Sequence, residues 1–360
     1  MTHEGTKKGY ILGGGGYQSS DGMQYLLALL NLDHDQAAGA PEPALLPLEF
    51  LAHGLCIDPR DPARAAVFEK KGPGAALVNL ASRQVETPVR TPATRKFYGH
   101  GAFSTDGSVL YATESLVDKD LAGILVVRDS QTLAELGTVP TYGSAPHDCQ
   151  LIADGTIMVV ANGGGSYQAA LEARGDSDDE AASITYVELS SGKLLEKVTI
   201  ASPRFNAGHL ALTPAGDLAV VSAPREGLPN INQQLGAVSL RPAGKALVTL
   251  EQPASVVQRM LGETLSVVIN EQSRVVLATH PLGNCVSIWR LDDAQLVGLL
   301  ELSGPRGITL TLDRQWYVVS HVAERSVRLT AFSASSYENT GTYVDPSYMS
   351  GSHVYAHSWD

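Results

Sequence analysis

The chain has 360 residues, with 26 Lys and Arg against 38 Asp and Glu, for a formal charge of −12. An acidic chain without a Lys/Arg block has nothing to track a phosphate backbone, which argues against nucleic acid and anionic membrane as partners. No apolar run approaches the roughly 18 to 20 residues of a membrane span, and Met1 to Lys8 lacks the hydrophobic region of a signal peptide. Cys56, Cys149 and Cys285 lie far apart without CxxC spacing, so they read as free thiols rather than a zinc knuckle or disulfide framework.

The 35 Gly and 19 Pro break the chain into short segments, and helix-period apolar faces are scarce. The first unit, Tyr10 to about Phe50, is the least regular; its Gly13 to Gly16 run lacks a following Lys-Ser/Thr or helix, so no nucleotide is expected there. From His53 onward a period emerges, with His53, His100 and His147 each 47 residues apart. The clearest unit runs from Gly99-His100-Gly101 through the turn Thr105-Asp106-Gly107 to the strand Val109 to Thr113, then Gly123 to Arg128 and Leu133 to Val139. Pro146-His147-Asp148 and Gly208-His209-Leu210 open two further units with the same order of strands and turns. Such a repeat of four short strands is the pattern of propeller blades.

The expected fold is therefore all-β: one seven-bladed β-propeller domain over residues 1–360, with four-stranded blades. Their approximate spans are 9–50 plus 341–357, 52–90, 97–140, 145–200, 207–250, 262–302 and 305–333, and a C-terminal strand closes the ring. The Arg174 to Glu180 stretch, within an insertion from Gly163 to Ser183, reads as a solvated acidic loop, lacking the ligand spacing of an EF-hand.

In an up-and-down blade, the start of the innermost strand and the end of the second lie on one face. Starts supply His53, His100, His147 and His209; ends supply Glu114, Asn162, Arg225, His280 and His321. Six histidines on one rim suggest a transition-metal site of His53, His100, His147, His209, His280 and His321 with Glu114, flanked by Asn162 and Arg225. Each histidine could equally bond the neighbouring backbone. Gly-x-Ser-x-Gly and Cys/His nucleophile arrangements are absent from the sequence, so no catalytic residue is assigned.

Phe97-Tyr98-Gly99-His100-Gly101 and Leu110-Tyr111-Ala112-Thr113-Glu114, followed by Pro146-His147-Asp148 and Val159-Val160-Ala161-Asn162-Gly163-Gly164, resemble a bacterial family of unknown function. Its members look like seven-bladed propellers exported by the twin-arginine route and encoded beside imelysin-type iron-uptake proteins and dihaem oxidoreductases. The resemblance implies a periplasmic location and a partner of either kind, although no signal peptide is visible and a cytoplasmic location stays open. Where the family more often shows Ser-Pro-Arg-Gly, this chain has Thr279-His280-Pro281, which would make His280 an added ligand.

Three functions follow as expectations. The first is a propeller that binds an iron or copper ion, or another small ligand, at one channel mouth, in metal uptake or handling. The second is a non-catalytic protein-interaction platform with structural histidines. The third is a metal-dependent, lactonase-like hydrolase, for which hard oxygen ligands are scarce at the rim.

Overall fold

A computed structural model describes residues 7–34, 41–172 and 181–359; the acidic stretch from Arg174 to Glu180 lies outside them. Seven four-stranded antiparallel sheets form a ring, the seven-bladed propeller expected from the repeat. Sequence order runs from the axis outward in blades two to seven, beginning with Ala52–Asp58, Arg95–Phe103, Pro146–Ile152, His209–Leu212, Val267–Asn270 and Pro305–Leu310 as innermost strands.

The first blade is assembled differently. Its innermost strand, Tyr355–His357, comes from the end of the chain and pairs antiparallel with Tyr10–Ser19, matching Tyr10 with His357 and Leu12 with Tyr355. The segment expected to serve only this closure is divided: Asn339–Val344 is the outer strand of the seventh blade, and only Tyr355–His357 joins the first. Joining both chain ends in one sheet gives the first blade the same four strands as the others and leaves only the short, protected edges of a propeller.

Apolar clusters lie between neighbouring blades. At the closure, Ile11, Leu26, Ala28 and Leu30 of the first blade pack against Val318 and Leu329 of the seventh, with Met349 and Val354 of the connecting segment. On the other side of the first blade, Leu12, Leu27 and Leu29 meet Ala65, Val67 and Val78 of the second. Alternation along each strand supplies both faces, because odd and even residues project to opposite neighbours. The Gly13 to Gly16 run is part of a strand rather than a phosphate loop. A Cβ on Gly14 would lie 2.0 Å from the Ala52 carbonyl oxygen, and one on Gly15 only 1.7 Å from that of Tyr348. Glycine here admits the backbone of the second blade's first strand and that of the closing segment.

The two faces of the ring differ. Connections from first to second strands are short turns such as Phe103 to Val109 and Leu212 to Leu218. The opposite face carries the long excursions, including those with helix Tyr167–Glu172, the short 3-10 turn Ile231–Gln233 and helix Ala254–Val257. Loops held on a rigid scaffold are the usual place for binding, and this face is also where the innermost strands begin.

Candidate metal centre

Five consecutive blades, one to five, each project a histidine toward the axis near the start of the innermost strand. They are His353, two residues before Tyr355, followed by His53, His100, His147 and His209. Local backbone irregularity helps to aim three of them. The strand pairing shifts between Ala52 and Gly54, between Phe97 and Gly101, and between Pro146 and Asp148, so His53, His100 and His147 sit in β-bulges. A bulge turns an extra residue out of the ladder and redirects its side chain.

Two glycines make room for the rings. Gly99 has φ +122°, and a Cβ there would stand 2.5 Å from Cδ2 of His53. A Cβ on Gly54 would meet His100 Nδ1 at 2.8 Å and the Gly99 carbonyl oxygen at 2.2 Å.

The result is a closely packed imidazole cluster. The His53 ring centroid lies 5.0 Å from those of His100 and His353, 5.1 Å from His147 and 5.2 Å from His209. The Nε2 atoms of His53, His147 and His209 form a triangle with sides of 3.3, 3.1 and 2.8 Å. His53, His100, His209 and His353 can each present one ring nitrogen within 4.8 Å of all the others.

Hydrogen bonding fixes part of the proton inventory. His209 Nδ1 is 2.5 Å from the Leu265 carbonyl oxygen, which can only accept, so this nitrogen carries the proton and the neutral ring turns a bare Nε2 inward. His100 Nδ1 is 3.2 Å from Asp148 Oδ1. That carboxylate also accepts the backbone N–H of Cys149 at 2.8 Å and that of Leu210 at 3.0 Å, which ties its orientation to the start of two innermost strands. The Nε2 atoms of His100 and His353 are buried without a hydrogen-bond partner among the described residues. Such orphaned atoms cost stability unless something occupies their lone pairs.

Burial pushes all five imidazoles below their ordinary range, His100 to about 3, and the nearby Lys70 charge lowers them further. Burial raises Asp148 to about 7 despite its two backbone donors. At neutral pH the rings are therefore uncharged, and their lone pairs are available without releasing a proton.

These residues fit a transition-metal ion. Two nitrogens bound at about 2.0–2.1 Å with an angle of 90–110° at the ion lie roughly 2.8–3.4 Å apart, the range spanned by the Nε2 triangle. Neutral imidazole suits copper, zinc, iron and nickel, whereas calcium and magnesium require several oxygen donors. Asp148 orients His100 as the carboxylate partner that metal-binding imidazoles commonly have.

Four of the six histidines expected at the rim meet here, while the strand-end residues do not join them. His280 lies within the sixth blade, with Nε2 2.7 Å from Ser287 Oγ and Nδ1 3.2 Å from Thr264 Oγ1. His321 Nε2 is 2.9 Å from Thr330 Oγ1 in the seventh blade. Glu114 is fully buried against Arg128, with Arg95 3.4 Å away. Asn162 Nδ2 donates to the Thr141 carbonyl at 3.3 Å and to Thr185 Oγ1 at 3.0 Å. Arg225 Nη2 donates to the Phe205 carbonyl at 3.2 Å and lines a recess beside His147 and His209. The physical reason is radial: the second strand stands one strand farther from the axis, so its end lies outside the ring of imidazoles.

His353 is the member that sequence reasoning missed. Its signal was present, because a tail that supplies the first blade's innermost strand must also pass the level at which the other blades start theirs. His353-Val354-Tyr355 then stands where His53-Gly54-Leu55 and His209-Leu210-Ala211 stand in their blades.

The histidine cluster divides the channel. Toward the loop-rich mouth lie two recesses, of ≈ 550 Å³ beside His147 and His209 and ≈ 330 Å³ beside His53. On the far side is a cavity of ≈ 530 Å³ reached by Asp148, Cys56, Cys149 and Tyr355.

Fold and site together define a seven-bladed propeller with a buried polyhistidine hub. The chain belongs to the family described as "Protein of unknown function (DUF1513)", whose sequence model matches residues 46–349 and so includes every clustered histidine except His353. No curated protein matches the chain by sequence. Among solved structures it is similar to the periplasmic gluconolactonase of Pseudomonas aeruginosa, with TM-score 0.66, 14% identity, and 98% of this chain and 99% of that chain covered. It is also similar to hydrazine synthase of Kuenenia stuttgartiensis, with TM-score 0.63, 15% identity and coverages of 91% and 97%. A chain of a mitotic checkpoint complex aligns with TM-score 0.57, 13% identity and coverages of 81% and 76%. At these identities the likeness establishes the fold alone.

Proposed function

We propose that this propeller binds one transition-metal ion, iron or copper, through His53, His100, His147, His209 and His353, and serves metal uptake or handling. The observation that carries the proposal is the convergence of five buried, neutral imidazoles, three with Nε2 atoms at ligand-like separations and two more, His100 and His353, whose Nε2 atoms are orphaned among the described residues. A bound ion would supply Lewis acidity or one-electron chemistry to whatever reaches the mouth. The protein's own part is to hold the rings neutral, to orient His100 through Asp148 and to restrict water to the recesses on either side.

The donor set favours this reading over a calcium-dependent hydrolase, because Asp148 is the carboxylate beside the rings and faces His100 from behind. Periplasmic location, and partnership with an iron-uptake protein or a dihaem oxidoreductase, are supported by the family resemblance. The interaction-platform reading draws on the long loops around the mouth, and those loops could equally receive a protein that donates or accepts the metal.

Elemental analysis of protein purified without a histidine tag tests the proposal, combined with thermal shifts on adding copper, iron, zinc or calcium. The expected result is one equivalent of iron or copper and a higher melting temperature with that metal. Absence of bound metal together with absence of a shift would refute both metal-dependent readings.

A further inference from the structure

Lys70 is not among the proposed metal ligands, yet it faces the same centre. It follows the strand Asp61–Glu69 directly and lines both mouth recesses, one with His147 and His209 and the other with His53 and Arg306. Its charge acts on all five clustered imidazoles. Among the described residues, no ion pair is made by Lys70 or by Arg306, whose Nε donates to the Gly351 carbonyl at 3.2 Å.

The nearby acids leave these cations only partly balanced. Glu69 turns its carboxylate back to accept the Gly74 N–H at 2.8 Å, and Glu226 is taken by Lys71 at 3.8 Å. Glu263 shares the recess and favours the Lys70 ammonium without pairing with it. Neutral imidazoles cancel none of a metal ion's charge, so a loaded centre would place a dication next to an ammonium and a guanidinium. Like charges in such a recess repel strongly unless an anion lies between them.

We propose that the mouth binds a small di- or tricarboxylate, one carboxylate of which ligates the metal while another accepts hydrogen bonds from Lys70 and Arg306. This rests on the metal reading and names its ligand class: the ion is held as an anionic chelate rather than bare. The recesses have the volume of small-molecule sites, which run from about 300 to 1,000 Å³, and Lys70 stands at their junction.

The test uses copper(II)-loaded full-length protein titrated with malonate and followed by the copper d–d absorption band. Wild-type protein should show a saturable shift, Lys70→Gln should weaken malonate at least tenfold at equal copper loading, and Lys70→Arg should restore most of the affinity. No saturable shift in the wild type, or equal malonate affinity in Lys70→Gln, would overturn the inference and leave the metal reading standing. A preceding titration with copper alone, and with iron alone, separates the two. If wild-type protein takes up neither copper nor iron, the metal reading fails and the carboxylate site fails with it.

Discussion

His100 and Asp148 come from the innermost strands of adjacent blades, yet Nδ1 of the one lies 3.2 Å from Oδ1 of the other, and both side chains are buried. Because the same carboxylate accepts the Leu210 N–H of a third blade, it sets the relative position of three blades at the level of the histidines.

Asp148→Asn should therefore loosen metal binding without removing a proposed ligand. Loss of an orienting carboxylate typically costs 10–100-fold in metal affinity, and a chelator-competition titration would show this. Unchanged affinity would mean that His100 needs no orientation or does not bind.

Gly99 offers a steric test that leaves every donor in place. In Gly99→Ala the new methyl would need space 2.5 Å from His53 Cδ2, at a φ of +122° that non-glycine residues adopt only with strain. The expected cost is about 1–3 kcal/mol in urea unfolding, with a parallel loss of metal affinity. Wild-type metal affinity in a destabilised Gly99→Ala protein would contradict the role given to His53.

The buried rings predict acid sensitivity of the metal-free protein. Each clustered histidine has a folded pKa below its unfolded value near 6.5, so below that pH the unfolded chain binds more protons and stability falls as pH falls. Each ring contributes at most about 1.4 kcal/mol per pH unit. Asp148 acts oppositely: raised to about 7, it stays protonated in the folded state where the unfolded carboxyl has ionised, so its contribution declines as pH rises from about 4 to 7. Five rings outweigh one carboxyl, and urea midpoints should drop steadily from pH 6.5 to 5. A flat profile would mean that the rings are more accessible to protons than their packing implies.

The strand-end residues should separate from the hub. His280→Ala removes hydrogen bonds to Ser287 and Thr264, and metal stoichiometry should not change. Glu114→Gln leaves Arg128 buried without its carboxylate, and breaking a buried pair of this kind costs roughly 3–5 kcal/mol. Loss of metal in His280→Ala would restore it to the ligand set.

How much of this was legible follows from radial position. The 47-residue spacing of His53, His100 and His147 reports the blade repeat directly, and His209 keeps the same place in its blade. Sequence periodicity carries the face of the ring on which a residue lies but not its distance from the axis, so Glu114, His280 and His321 shared a face with the hub without sharing its centre. His353 was hidden for a different reason, because closure moves the first blade's innermost strand to the far end of the chain. Lys70 and Arg225 occupy strand-end places like that of Glu114, and only the packing of side chains distinguishes the ends that line the mouth recesses from those that do not.

An anomalous difference map recorded at the absorption edge of the metal found in the purified protein tests the central claim most directly. The account predicts a single peak on the channel axis, about 2.0–2.1 Å from the Nε2 atoms of His53, His147 and His209, with His100 and His353 completing the shell. A peak elsewhere, or rings found hydrogen-bonded to one another around no ion in protein incubated with copper and iron, would contradict it.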